Sequence, residues 1–533
     1  MNRRWRTKWY PGDLVGGVSA AFVLIPQALA YAVLAGMPAE RGLYVAALAP
    51  IAAAFFASSP YLGTGPTAVT SLLTFGALTA LASSGSNDYV ALAALLALLV
   101  GAVRTFMGLA RLGAVSYLIS QPVLTGFTTG AAVVIFASQV PTVLDVPAEG
   151  SNPFAAAFDA LSRPGDWYGP AIGVSLATAV VILGGRRIHR LFPGVLVAVF
   201  GAIAFSAWAG YDGRVIGAVG GGVPPFSLAL PWSQLPALLI PALVIAVVGF
   251  SEPASIARHY ATVERTRWDP NRELISQGMA NLAAGLGGGF PAGGSFSRSA
   301  LVREAGARTR LAGGITGLVV LALLPFASVL THLPEAVLGA TIMVAVVPLV
   351  RIKPFVEYRR YTRLQLTVSL ATGVLTVALA PHVERAVVAG IGLAIGAHLF
   401  RELRVSVKAW TDGETLHLAP KGVLYFASAP LLEDRFGELL HNHPDARHLR
   451  VHVDGLGRVD ITGAMALRAL LADAEAAGLD ARVVDIPPQA EKIIRRVLDG
   501  EPNTGAPGGG RSGERPAGPA GDEPAGPRAV PLR

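Results

Sequence analysis

The chain of 533 residues has no cysteine, which excludes disulfides, thiolate zinc sites, iron–sulfur clusters and cysteine nucleophiles. Charge is also scarce. Only 15% of residues are Asp, Glu, Lys or Arg, against about a quarter in ordinary soluble domains. No phosphate loop of the GxxxxGKS type occurs, so an ATP-driven pump is not expected. The ten histidines are scattered. Their one grouping, His441, His443, His448 and His452, lacks a carboxylate at metal-ligand spacing, so no enzyme activity, metal or cofactor is expected.

What abounds is apolar surface and helix punctuation. Hydrophobic residues make up 52% of the chain, mean hydropathy is +0.52, and there are 61 glycines and 38 prolines. That mixture suits transmembrane helices, which tolerate Gly and Pro more than soluble helices do. The net charge of +8 would fit a nucleic-acid partner until the charges are placed. Residues 1–410 hold 29 Lys/Arg and 17 Asp/Glu, whereas residues 411–533 hold 14 and 18. No nucleic acid is expected.

Fourteen apolar spans are read near 13–36, 41–57, 66–83, 89–110, 113–144, 168–184, 191–209, 234–257, 271–289, 296–307, 311–332, 334–350, 362–380 and 384–402. Spans 66–83 and 296–307 fall short of the ~20 residues that cross a bilayer and read as half-helices. The first span is too long for a signal peptide and carries Pro26, so it reads as a retained helix. With the basic start inside, inner loops hold 24 basic residues, Arg104 and Arg111 among them, and outer loops hold four. The positive-inside rule then predicts cytoplasmic termini at both ends, with Arg298 alone left inside a span.

Three regions follow: a transmembrane domain over 1–410, a small α/β domain over 411–499, and a tail over 500–533. The α/β domain is read as strands at 414–419, 421–427, 448–454 and 481–485, with helices at 430–441, 462–477 and 488–498. The tail has nine Gly and seven Pro among 34 residues and too little apolar surface to offset its ordering entropy, so it is expected to be disordered.

A polar or ionisable group at membrane depth is costly and points to function. Glu252, in Gly249-Phe-Ser-Glu-Pro253, and Arg298, in Gly294-Ser-Phe-Ser-Arg-Ser299, stand out. Breaks at Ser59–Pro66 and at Gly285–Gly294 precede the two short spans, in corresponding third positions of two seven-span halves. Pro26 and Pro253 fall in the paired first spans of those halves. Paired interrupted helices are the sequence signature of a transporter's binding site. Each half-helix start presents unpaired N–H groups and a positive dipole end, which favours an anion, and Arg298 adds a planar cationic fork. Thr64, Thr67, Ser295, Ser297 and Ser299 supply hydroxyl donors. Gln27 and Tyr31, four residues apart beside Pro26, share one helix face, where they line the same cavity or serve helix packing.

Pro11-Gly-Asp-Leu14, Ile25-Pro-Gln-Ala-Leu-Ala-Tyr31, Gly42-Leu-Tyr44, Gly63-Thr-Gly-Pro-Thr67, Gly249-Phe-Ser-Glu252 and Ser295-Phe-Ser-Arg-Ser-Ala300 together resemble the sulfate permease (SulP) family of anion transporters. That family comprises bacterial relatives of the solute carrier 26 group with a C-terminal STAS domain. The resemblance implies two inverted seven-segment repeats forming core and gate domains, elevator-like alternating access, and a homodimer. It places Gln27, Tyr31, Thr67, Phe296, Ser297 and Arg298 at the anion site, with Thr67 where relatives often have an aromatic.

Sodium-coupled bicarbonate members use an Asp and a Thr on the eighth helix, where this chain has Glu252 and Ile256. A lone carboxylate is a poor sodium cage and is suited to carrying a proton instead. The expected function is therefore proton-coupled secondary-active transport of sulfate or a C4-dicarboxylate such as fumarate across a bacterial inner membrane. The alternatives are sodium-coupled bicarbonate transport, or an anion exchanger or channel. A membrane-anchored signalling protein ranks lower, since it has no need of broken helices. Val453–Gly463 resembles the STAS signature, with Thr462 at a position phosphorylated in some relatives; capping of the following helix is the simpler role for Thr462.

Overall fold

Helix ends follow the prolines, glycines and hydroxyl residues closely. The computed structural model describes residues 10–114, 120–147, 152–188, 192–217, 222–402, 406–425 and 428–498. The chain divides into two compact units, Met1–Ala397 and His398–Arg533. The tail expected to be disordered lies outside the described residues.

In the first unit, α1 (Pro11–Leu34) opens on a proline, whose missing N–H is no loss in a first turn, and continues through Pro26. Next come α2 (Ala39–Phe56), a three-residue strand β1 (Gly63–Gly65) and the short α3 (Ala68–Leu78). Helix α4 (Asn87–Leu109) starts on a Ser86 cap, whose hydroxyl accepts from the Tyr89 amide. It is followed by α5 (Gln121–Ser138), α6 (Val140–Leu144), α7 (Pro153–Ser162), α8 (Gly169–Ile188) and α9 (Gly194–Ala209). The second half runs α10 (Leu235–Val263), α11 (Pro270–Leu286), strand β2 (Gly293–Ser295), the short α12 (Phe296–Glu304), α13 (Leu311–Leu323) and α14 (Glu335–Val346). It closes with the amphipathic α15 (Ile352–Tyr361), α16 (Arg363–Ala378) and α17 (Val383–Glu402).

Each expected span overlaps at least one helix, although residues 115–119 of the span at 113–144 lie outside the described residues. Eight helical segments among the described residues are long and apolar enough to cross a membrane. The two expected half-helices are shorter than their apolar runs, at 68–78 and 296–304.

The packing pairs the halves crosswise: α4 against α11 and α2 against α13, then α5 against α16 and α8 against α14. These are the pairs that exchange when the two sets of seven spans are swapped. Small residues allow the close approach, as where Gly101 lies against the α11 backbone at Gly278 and Leu282. Two buried carboxylates fasten the ends. Asp13 accepts from the amides of Arg308 and Thr309 at 2.8 and 2.9 Å, and Glu273 accepts from those of Ser58 and Ser59 at 3.1 and 2.8 Å. Arg104, expected in an inner loop, instead lies within α4 and is fully buried. A second arginine therefore stands inside a span beside Arg298.

The second unit is a sheet in the order β3-β4-β5-β7, with β6 also pairing β4. Its strands are β3 (Ser406–Asp412), β4 (Thr415–Leu424), β5 (His448–His452), β6 (Leu456–Val459) and β7 (Asp480–Val484). Its helices are α18 (Ala429–Asn442), α19 (Ile461–Ala476) and α20 (Pro488–Leu498). The strands expected at 414–419 and 421–427 form one strand, β4, which ends at Leu424, with residues 426–427 outside the described residues; β3 pairs with it antiparallel from ahead of residue 411. Apolar side chains of β4, β5, α18, α19 and α20 form its core. Helix α19 is capped by Asp460, whose carboxylate accepts from the Gly463 amide at 2.7 Å. Thr462 does not cap; it is exposed in the first turn, two residues past the cap position held by Asp460.

Candidate functional site

The two backbone breaks meet. Strands β1 and β2 pair antiparallel, with Gly63 opposite Ser295, Thr64 opposite Gly294 and Gly65 opposite Gly293. Half-helices α3 and α12 begin within three residues of this ribbon, so their N-termini, each rich in unpaired N–H groups, are held together. Gly63 is required here, because a Cβ on it would lie 2.7 Å from the Arg298 Cβ.

Arg298, in the first turn of α12, is 1% exposed. Its Nη1 donates to Gln27 Oε1 at 3.2 Å, and its Nη2 donates to the carbonyls of Pro66 at 3.0 Å and Gly63 at 3.4 Å. Gln27 is therefore joined to Arg298, and its orienting partner lies on the opposite half of the chain. The Arg298 Nε has no partner among the described residues. Tyr31, also buried, lies in the electrostatic reach of both Arg298 and Glu252. Glu252 on α10 lies within the field of Arg298 and close to the start of α12, since the adjoining Pro253 packs against Gly294 of β2. Pro253, lacking an N–H, leaves the Gly249 carbonyl one turn earlier without its intrahelical donor.

Thr67 caps α3: its hydroxyl accepts from the Thr70 amide at 3.4 Å and pairs with the Thr70 hydroxyl at 2.9 Å. Thr67, Thr70, Ser251 and Glu252 line one narrow recess, together with Thr128 of α5. Arg298 lines a second narrow recess, with Ser59, Thr64 and Arg310. Phe296 is 38% exposed, and Ser297 shares a 3.1 Å hydrogen bond with Ser295.

Two of the hydroxyls expected at the site are committed elsewhere. Thr64 accepts from Gln277 Nε2 of α11 at 2.9 Å. Ser299 accepts from the Gly63 amide at 2.9 Å and donates to the Ser295 carbonyl at 2.7 Å, which locks β1 to α12. Ile256, one turn beyond Glu252, is fully buried among Leu62, Tyr260 and Tyr61 and offers no oxygen. Thr70, Ser251 and Thr128 were missed by sequence reading, although Thr70 stands at the i+3 position that a Thr67 cap serves. No group of three or more His, Asp or Glu among the described residues can hold a metal ion.

A multi-span helical membrane unit with two opposed half-helix starts around a buried arginine defines a membrane transporter rather than an enzyme. Residues 11–372 match the model of the sulfate permease family, and the chain belongs to that family. The Mycobacterium tuberculosis (strain ATCC 25618 / H37Rv) protein named "Probable sulfate transporter Rv1739c" is 35% identical over 380 residues, covering 69% of this chain and 67% of that one. The "Sodium-independent sulfate anion transporter" of Bos taurus is 28% identical over 507 residues, covering 87% and 82%. Among solved structures, murine solute carrier 26 family member A9 in the inward-facing state matches with a TM-score of 0.82 at 21% identity, over 92% of this chain and 88% of that one. The transmembrane domain of a cyanobacterial bicarbonate transporter matches with a TM-score of 0.63 at 25% identity, over 70% and 97%.

Proposed function

We propose that this chain is a secondary-active, proton-coupled transporter of small anions, with sulfate or a C4-dicarboxylate such as fumarate as substrate. The observation that carries the reading is the shared N-terminus of α12, where Arg298 is held by Gln27 and α10 brings Glu252 close, its neighbour Pro253 packing against Gly294 of β2. A substrate anion and an ionised Glu252 compete for the same positive helix end. Protonation of Glu252 frees that end, so a proton and an anion enter together.

In this reading Arg298 supplies charge, Gln27 orients it, and Thr67, Phe296, Ser297 and Tyr31 line the site. The core carrying α3 and α12 moves elevator-like against the gate. The protein sits in a bacterial plasma membrane with both termini cytoplasmic, which the basic inner loops support. The α/β unit is a STAS domain that supports folding or homodimer contacts, with Thr462 as an exposed regulatory hydroxyl.

Sodium-coupled bicarbonate transport is the second reading, favoured by the likeness to the cyanobacterial structure. The buried Ile256 weighs against it, since sodium needs several oxygen ligands.

The reading is tested by uptake of labelled sulfate and fumarate into sodium-free proteoliposomes under an inward proton gradient. Saturable accumulation that a protonophore abolishes supports it. Uptake that requires sodium, or large ohmic currents, would select the alternatives.

A further inference from the structure

Arg104 on α4 is among the largest fully buried side chains of the molecule, yet all its hydrogen bonds go to backbone carbonyls. Nε donates to Ala246 and Nη2 to Ile245, both at 3.0 Å, and Nη1 donates to Ala292 at 3.0 Å. The first two carbonyls belong to α10, two turns before Glu252. The third directly precedes β2, the strand from which α12 and Arg298 follow. Asn281 of α11 grips the same Ala292 residue, with Nδ2 donating to its carbonyl at 3.2 Å and Oδ1 accepting from its amide at 2.9 Å. The fork is admitted by Gly249, where a Cβ would lie 2.6 Å from Nη2. Gly249 in turn lines the recess that holds Thr67 and Glu252.

A buried guanidinium is expensive to desolvate and is retained only where its donors are met. Helix association alone needs no such charge, because small apolar residues serve it elsewhere in this unit. What Arg104 joins are the two backbone stretches that carry the opposing charges of the site. We propose that Arg104 is a positioning residue of the anion site, fixing the separation between α10 and the β2–α12 start. Glu252 is thereby held close to the α12 start. The inference rests on the transport reading above for its purpose, and its geometry is testable without that reading.

The natural lack of cysteine makes the test clean. Glu252→Cys and Phe296→Cys are introduced together into the full chain in proteoliposomes, and the rate of disulfide formation is followed under a mild oxidant. Adding Arg104→Met is expected to slow cross-linking at least five-fold while the chain stays monodisperse and helical, and Arg104→Lys to restore part of the rate. In the chain that keeps Glu252 and Phe296, Arg104→Met is expected to raise KM for labelled sulfate about ten-fold, with a smaller change in maximal rate. Should Arg104→Met fail to fold, Gly249→Ala, which intrudes on the Nη2 tip, carries the same expectation in milder form. An unchanged cross-linking rate in the folded variants overturns the proposal. Absence of sulfate uptake by the unmutated chain would count against the transport reading alone, and the cross-linking rates would still decide the role of Arg104.

Discussion

Half-helix α3 begins behind Thr67, whose hydroxyl takes up an α3 amide, and Thr70 and Thr74 carry hydroxyl bonds further along the same helix. Half-helix α12 begins behind Ser295, whose hydroxyl caps nothing and pairs with Ser297 instead. Both starts are joined by the same two-stranded ribbon, yet α3 satisfies part of its own donor set with neutral groups. The α12 start has no side-chain cap and brings a buried cation. The difference assigns unequal work. The α12 start is the charge-bearing side of the site, and α3 contributes a dipole and a shaped, hydroxyl-lined wall.

That contrast can be broken most severely at Arg298. Arg298→Ala leaves the Gln27 oxygen and the Pro66 and Gly63 carbonyls without their donor, and removes the positive charge. Uptake into proteoliposomes is expected to fall on the order of 100-fold, about 2.7 kcal/mol, which is the cost of one or two orphaned buried acceptors. Next in size is Glu252→Gln, which keeps a hydrogen-bonding side chain but cannot ionise. It is expected to abolish accumulation driven by a proton gradient while downhill uptake of the labelled anion persists. Loss of both would assign Glu252 to binding instead of coupling.

On the α3 side the effect is expected to be smaller. Thr67→Val removes the cap at a cost of about 1 kcal/mol, so KM should rise roughly five-fold with Glu252-dependent coupling intact. A loss as large as that of Arg298→Ala would show that the two starts are equals. Smallest of all, and outside the membrane unit, Asp460→Ala should weaken hydrogen-exchange protection in the first turn of α19 by about 1 kcal/mol. Thr462→Ala should stay within about 0.5 kcal/mol of the unmutated chain.

Much of the membrane unit was legible because helix length, apolar runs and Gly/Pro breaks are local properties of the sequence. The interruptions at Ser59–Pro66 and Gly285–Gly294 located both half-helices, and rarity of charge singled out Glu252 and Arg298. Arg104 escaped because it lies close to the end of its apolar run, where an arginine is read as a loop residue. Its three carbonyl acceptors come from residues more than 140 positions away and leave no side-chain signature. Thr64 and Ser299 show the converse. Their residue types fit a ligand site, but tertiary partners that sequence does not show bond to both: Thr64 accepts from α11, and Ser299 accepts from β1 and donates its proton to the Ser295 carbonyl.

In the α/β unit the helices and most strands followed the apolar pattern, whereas the histidines did not sort by sequence. His452 stands between His417 at 2.9 Å and Asp485 at 2.6 Å, with Trp410 stacked on both rings. Only the pairing of β3, β4, β5 and β7 brings these four together.

The central claim is that an anion and a proton share the α12 start, and proton flux tests it most directly. Sodium-free proteoliposomes carrying a lumenal pH dye are given sulfate or fumarate, at matched external pH. The account predicts lumenal acidification that follows anion entry and disappears in both Glu252→Gln and Arg298→Ala. Entry of labelled anion with no pH change in the unmutated chain would contradict it.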